Sequence, residues 1–191
     1  MTRRVHRARS VVAVVVALAT TGNAAFAQAP ANEAQVKAAF VYNFLKFVDW
    51  PADVFVGPGD SLIVGIVGSG PTADAAARLL AGKPVNGRAV AIRRLEDDGP
   101  RPGVHALFIG NADTTHARRI LDDVANAAVL SIGESTDFAA QGGVIGLLVE
   151  AQKVRFEINT DAAATAGLKI SSKLLALARI VRSRDSEHDR P

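Results

Sequence analysis

The chain has 191 residues, of which 49% are hydrophobic, enough for one domain with a buried core. It contains no cysteine, which excludes a disulfide framework and leaves the core to hold the fold together. Its 22 basic and 19 acidic side chains give a charge of +3, but four arginines among the first nine residues account for this excess. The composition therefore gives no support for nucleic acid as a partner.

The first 27 residues have the three parts of a cleavable signal peptide. Four arginines precede nine consecutive apolar residues, 11–19, and small residues then lead to the cleavage pattern Ala25-Phe26-Ala27. An uncleaved anchor is disfavoured, because a membrane-spanning helix needs about 20 apolar residues. We therefore predict export from the cytoplasm. The mature chain would carry 18 basic and 19 acidic side chains, a net charge of −1.

The segment from Glu33 to Val48 is predicted to be the first helix of the mature protein. Asn32 is a suitable N-cap with Gln35 three residues later, and Asp49-Trp50-Pro51 ends the helix, since the residue before a proline avoids helical angles. Helical spacing predicts an apolar stripe formed by Val36, Phe40, Phe44 and Phe47.

Strands and helices alternate from residue 62 to residue 132, which predicts parallel βαβ units. The continuous apolar run Leu62 to Val67 is typical of a strand buried on both faces, and Pro71 and Gly82 frame the helix that follows it. The predicted strands are residues 62–67, 89–95, 104–109 and 129–132, and the predicted helices are residues 71–81 and 114–127.

The pattern changes near the C-terminus. Strands 144–149 and 154–158 are separated by four residues, too few for a parallel crossover, so we predict an antiparallel hairpin at one side of the sheet. A short helix, 161–166, is predicted next. A last helix, capped by Ser171 or Ser172, then runs to Val181.

These elements predict the α/β fold class, as a single-domain three-layer α/β/α sandwich over residues 28–182. Its sheet is mostly parallel, with the antiparallel hairpin near the C-terminus. Residues 183–191 have nothing to bury and are predicted to be a disordered tail.

Few residues have the chemistry for catalysis. His105 begins a strand, His116 lies on a helix, and no two histidines have the spacing of metal ligands. Residues 133–137 approach a nucleophile elbow but lack its second glycine. Residues 68–73 match the pattern G-x-G-x-x-A, but Pro71 removes a backbone donor, which favours a tight turn over a nucleotide site. We therefore predict no enzyme, no metal and no cofactor.

Two groups of residues are candidates for binding a partner. Those on and after the first helix either line a groove or satisfy buried backbone groups, and the second role is favoured. Those around the two consecutive glycines either expose an apolar edge or form a bend into a strand, and the bend is favoured. With two polar residues of the hairpin, the candidates are Tyr42, Asn43, Lys46, Trp50, Phe138, Gly142, Gly143, Ile145, Arg155 and Asn159.

The segment Lys37 to Pro51 (KAAFVYNFLKFVDWP) resembles the opening of the YfiR/HmsC family of periplasmic regulators. Further segments follow in the order of that family, and the resemblance covers roughly residues 34–181. These segments are residues 82–88 (GKPVNGR), 105–109 (HALFI), 138–145 (FAAQGGVI) and 154–181.

The resemblance implies a non-enzymatic α/β domain that can form a homodimer. It also implies binding to the periplasmic sensor domain of an inner-membrane diguanylate cyclase, which is held inactive, so that cyclic-di-GMP falls and biofilm formation is restrained. The alternative is a small-ligand sensor that acts with a sensor kinase or an outer-membrane receptor. In that alternative the turns around Gly68 and Gly110 form a ligand crevice.

Overall fold

The computed structural model describes residues 28–110 and 112–183. The predicted signal peptide, residues 1–27, and residues 184–191 of the predicted tail lie outside the described residues. The helices are α1 (Gln28–Lys46), α2 (Pro71–Leu80), α3 (Thr114–Val124), α4 (Thr160–Thr165) and α5 (Ser172–Leu175), with a short 3-10 helix at Ala52–Val54. The strands are β1 (Val48–Asp49), β2 (Leu62–Val67), β3 (Pro84–Val85), β4 (Arg88–Leu95), β5 (Ala106–Ile109), β6 (Leu130–Gly133), β7 (Ile145–Glu150), β8 (Lys153–Asn159), β9 (Lys169–Ile170) and β10 (Arg179–Val181).

Eight strands form one sheet in the order β10-β8-β7-β6-β5-β2-β4-β3. The five strands from β7 to β4 in this order run parallel to one another. β8 is antiparallel to β7, β10 is parallel to β8, and β3 is antiparallel to β4. The predicted sheet, mostly parallel with an antiparallel hairpin at one side, is confirmed. β1 and β9 form a separate antiparallel pair.

Helices cover both faces of the sheet because alternate strand residues point in opposite directions. Val64 and Ile66 of β2 pack in the larger buried cluster, together with α1 and α2. Val67 packs in a second cluster, which includes Ala117 and Ile120 of α3. The three-layer α/β/α arrangement therefore follows from the apolar run in β2, which is buried on both sides.

The first helix differs from its prediction in extent and in buried face. It begins at Gln28, so Asn32 lies within it and is not its N-cap. Val36 and Phe47 are 39% and 37% exposed, so the predicted stripe is wrong at both ends. The buried apolar residues are Ala34, Ala38, Val41, Phe44 and Leu45. Small alanines on this face allow α1 to approach the alanine-rich α2 closely, which decides the rotation of the helix.

The predicted C-terminal helix is also wrong beyond its first turn. Ser171 caps α5, its hydroxyl accepting a hydrogen bond from the Lys173 amide, but the helix ends at Leu175. The chain then extends as β10, in which Ile180 lies beside Ile158 of β8. Pairing with β8 supplies this segment with a strand partner, and tertiary context overrides its helical spacing.

His105 ties the amino ends of the strands to the loop that follows α1. Its Nδ1 accepts a hydrogen bond from the Ile63 amide at 3.0 Å, and its carbonyl accepts one from Trp50 Nε1 at 2.8 Å. Its ring stacks on Phe55 with centroids 4.5 Å apart. Burial of the imidazole lowers the pKa of His105, since the charged form loses hydration. A proton on Nδ1 would also remove the acceptor for Ile63.

This network predicts a pH-dependent stability. At pH values just below the unfolded pKa of about 6.5, the unfolded chain binds more protons at His105 than the folded chain, so the free energy of unfolding falls as the pH falls. The loss from this one group is at most about 1.4 kcal/mol per pH unit. The free energy of unfolding, measured by urea denaturation at several pH values in this range, should depend less steeply on pH in His105→Gln than in the wild type. A dependence on pH that is as steep in His105→Gln as in the wild type would contradict the assignment.

Candidate functional site

Two adjoining clefts lie at the carboxyl ends of the central parallel strands, where such sheets commonly bind ligands. The first, of about 310 Å³, lies between the start of α1, the start of α2 and the residues after β5 and β6. The second, of about 370 Å³, runs from the end of β6 across β7 towards β8 and β10. Lys37, Glu134 and Ser135 line both clefts, so these three residues form the centre of the candidate site.

Lys37 is 9% exposed and lies on the buried face of α1. Its Nζ is 2.8 Å from Glu33 Oε1 and 3.1 Å from Glu134 Oε2. Burial by itself lowers the pKa of Lys37, but the hydrogen bonds and charges of the two carboxylates outweigh it, and the net effect raises the pKa. Lys37 therefore stays protonated, and the three side chains together carry one negative charge.

Two hydroxyl groups border the same clefts. Thr72, in the first turn of α2, is 5% exposed, and its side chain has no hydrogen-bond partner among the described residues. Ser135 Oγ is buried and likewise bonds to no described residue. The clefts thus offer carboxylates, hydroxyls and one ammonium group, which suit hydrogen bonding to a small molecule. His105 and His116 are absent from the described lining of both clefts.

The predicted crevice-forming turns meet beside these clefts. Gly68 has a φ of 76°, and a Cβ on it would overlap the carbonyl oxygen of Gly110. Glycine is therefore required because the two turns touch each other. The tight-turn interpretation of residues 68–73 accounts for this glycine without a bound nucleotide.

The candidates on and after α1 divide between backbone support and the surface. The Tyr42 hydroxyl donates to the Pro84 carbonyl at 3.0 Å, and Trp50 Nε1 donates to the His105 carbonyl. These two aromatic residues therefore satisfy backbone groups. Asn43 and Lys46 are exposed, with Lys46 Nζ 5.4 Å from the centre of the Tyr42 ring.

Phe138 occupies a slot between two glycines. Its side chain is 1% exposed, and a Cβ on either Gly133 or Gly143 would overlap its ring. Gly142 has a φ of 102°, a conformation that side chains rarely adopt. Ile145 is fully buried. The stretch is a bend, as favoured from the sequence, and the alternative of an exposed apolar edge does not fit it because Phe138 and Ile145 are buried.

Asn159 is fully buried and makes four side-chain hydrogen bonds. Its Oδ1 accepts from the Asp161 and Ala162 amides and caps α4, while its Nδ2 donates to the Ala139 carbonyl at 2.7 Å and to Ser183 Oγ at 2.8 Å. The fold thus brings Asn159 to the Phe138 segment. Arg155, opposite Leu148 in the hairpin, is exposed and lies apart from this group.

The central residues of the clefts were missed by the sequence predictions. Lys37 lies between Ala34 and Val41 at helical spacing, so it interrupts an otherwise apolar face and needs a buried partner. That pattern is a signal for a charged site. Its partner Glu134 is 97 residues away, and no local pattern joins the two.

The open edge of the sheet is a second surface feature. β10 is the terminal strand and pairs only with β8 in the described sheet. Leu177 and Ile180 are 76% and 48% exposed beside this edge.

No helix within residues 28–110 and 112–183 is long and apolar enough to cross a membrane. In the same described part, no three acidic, His or Cys side chains are grouped to hold a metal ion.

Fold and clefts together define a three-layer α/β domain with two adjoining clefts at the carboxyl ends of its parallel strands. The chain belongs to the YfiR/HmsC-like family, whose model matches residues 34–179. The family consists of periplasmic regulatory proteins.

Two solved structures match the chain over more than three quarters of its length. A conserved domain protein from Vibrio cholerae O1 biovar El Tor is 13% identical with a TM-score of 0.50, and the match covers 77% of this chain and 59% of that one. The ABC domain from Streptococcus pneumonia, solved in complex with L-Trp, is 11% identical with a TM-score of 0.49, covering 78% and 60%. The chain spans about three fifths of these structures.

The Phe138 slot predicts the effect of adding one methyl group. Gly143→Ala should lower the free energy of unfolding by about 2 kcal/mol, because the new Cβ overlaps a ring that cannot move. The control is Gly99→Ala, whose Cβ would meet only ordinary contacts. In denaturant unfolding, the free energies lost through Gly99→Ala and Phe138→Leu should be nearly additive in the double variant. Gly143→Ala combined with Phe138→Leu should cost less than the sum of the single variants. If the free energies lost through Gly143→Ala and Phe138→Leu add in the double variant, the tight packing of Phe138 against Gly143 is ruled out.

Proposed function

We propose that the protein is a periplasmic repressor that binds a membrane-bound signalling partner, most specifically a diguanylate cyclase, and so lowers cyclic-di-GMP and restrains biofilm formation. Family membership over residues 34–179 supports the regulatory role. The observation that carries protein binding is the open edge at β10, with Leu177 and Ile180 exposed beside it. Exposed apolar side chains at the open edge of a sheet mark a surface that a protein partner can cover.

Repression in this proposal is a difference of affinities. The protein binds the inactive state of the partner more tightly than the active state and shifts the equilibrium between them. A tenfold difference in affinity corresponds to about 1.4 kcal/mol, and equal affinity for both states would shift nothing. The cysteine-free core needs no oxidation step to present its surface. The homodimer implied by the resemblance stays a prediction.

Deletion of the gene should raise cyclic-di-GMP and biofilm mass, and expression of the full-length chain from a plasmid should reverse both. The same tagged chain should retain an inner-membrane protein with a diguanylate cyclase output domain when membranes are solubilised. The destabilised variant Gly143→Ala should complement less well than Gly99→Ala in the same assay. Unchanged cyclic-di-GMP in the deletion strain would contradict a cyclase partner.

The charged clefts favour a second candidate function, a small-ligand sensor that acts with a sensor kinase or an outer-membrane receptor. The specific observation is the buried hydroxyl of Ser135, which lines both clefts and which no described residue bonds. Buried hydroxyls without partners cost free energy unless water or a ligand satisfies them. The two functions are compatible, since a ligand in the cleft is able to trigger release of a partner.

A ligand of the clefts should raise the melting temperature of the purified protein in a screen of small polar metabolites. At 100 times its dissociation constant a single-site ligand adds about 2.7 kcal/mol to stability. The shift should fall in Glu134→Gln, which changes the centre of the clefts, and persist in Glu96→Gln, which changes an exposed residue outside them. Equal shifts in both variants would place the ligand elsewhere.

A further inference from the structure

The two edges of the eight-stranded sheet are built differently. At one edge, β3 has only two residues and begins with Pro84, which has no amide donor and whose carbonyl already accepts the Tyr42 hydroxyl. The adjoining β4 carries Arg93 and Arg94. Proline, charge and short length are features by which proteins block an edge against further strands.

The β10 edge is also short and carries one basic side chain, but it differs from the β3 edge in its other residues. Its three residues contain two β-branched side chains, Ile180 and Val181, and no proline. One side of the strand pairs with β8, while no described strand lies on the other side. The exposed Arg179 pairs with Glu157 at 2.8 Å and with Glu150 at 2.9 Å, so its charge is already compensated. Backbone donors and acceptors are therefore available for one more strand.

The charge around β10 identifies the kind of strand that fits. Lys173, Arg179 and Arg182 lie in or near β10 in the sequence, and the acids beside the strand, Glu150 and Glu157, pair only with Arg179. Lys173 and Arg182 flank the strand, are exposed, and form no ion pair with any described residue. A second copy of the chain would bring the same basic side chains against each other, which disfavours pairing of two β10 edges.

We propose that β10 is the docking strand for an extended acidic segment of a protein partner, which joins the sheet as its ninth strand. The inference rests on the proposed function only in taking the partner to be a protein. Backbone hydrogen bonds hold the added strand, its apolar side chains contact Leu177 and Ile180, and its carboxylates face Lys173 and Arg182. Because β10 has three residues, the contact is short and depends strongly on salt.

The direct test uses a capped octapeptide of alternating Glu and Val as the probe. It should bind the purified protein in isothermal titration calorimetry, and more weakly at high salt. The double variant Lys173→Glu/Arg182→Glu should bind it at least tenfold more weakly, whereas Lys83→Glu, a charge reversal near the opposite edge, should bind it like the wild type. A Lys/Val octapeptide, which reverses the charge of the probe, should bind at least tenfold more weakly. The same loss is expected for a Glu/Val octapeptide in which alternate backbone nitrogens are methylated. Equal melting temperatures would show that the exposed substitutions leave the fold intact.

Several results would overturn the docking strand. These are no binding of the Glu/Val octapeptide, equal binding by the double variant, equal binding of the N-methylated peptide, or a dimer in light scattering that Ile180→Lys dissociates. The last result would make a second copy the occupant of the edge.

Complementation of the deletion strain separates this inference from the proposed function. The inference predicts that Lys173→Glu/Arg182→Glu fails to restore low cyclic-di-GMP while Lys83→Glu restores it. Full complementation by the double variant would reject β10 as the docking strand but would be consistent with the proposed repressor function. Unchanged cyclic-di-GMP on deletion would reject the cyclase repressor, and the octapeptide titration would still decide the docking strand.

Discussion

The ring of Phe138 between Gly133 and Gly143 is the contact on which the rest of the structure depends. Gly133 ends β6 and Gly143 precedes β7, so one aromatic side chain lies where the parallel strands meet the antiparallel hairpin. Its burial fixes the loop that connects these two strands. The Ala139 carbonyl in this loop accepts a hydrogen bond from Asn159, which ties the far strand of the hairpin to the same place.

Both proposed surfaces are anchored to this loop. Glu134, its first residue, pairs with Lys37 of α1 and so forms the centre of the clefts. Asn159 also bonds Ser183, just beyond β10, and so holds the open edge of the sheet. A ligand at Glu134 and a partner at β10 would act on two ends of one packed segment, which is a physical basis for coupling them. Coupling would require that the segment has two arrangements with different affinity for the partner.

Sequence patterns predicted the elements whose structure is decided locally. The run 62–67 is buried on both faces and became β2 with the predicted bounds, and the four-residue connection made the C-terminal hairpin antiparallel. Residues 179–181 were mispredicted as helix, because their conformation comes from pairing with β8. The clefts were missed for the same reason, since Lys37 and Glu134 meet only in the folded chain. Phe138 was identified as important, but whether it is buried or exposed depends on Gly133 at the end of β6 and Gly143 before β7.

The central claim is that the protein binds its partner by adding a strand at β10. Hydrogen–deuterium exchange of the purified protein, with and without the capped Glu/Val octapeptide, measures this directly because a new strand protects backbone amides. The account predicts slower exchange for residues 179–181 in the presence of the peptide, and unchanged exchange at β3 and β4. Unchanged exchange at residues 179–181 in the presence of bound peptide, with protection appearing elsewhere, would contradict it.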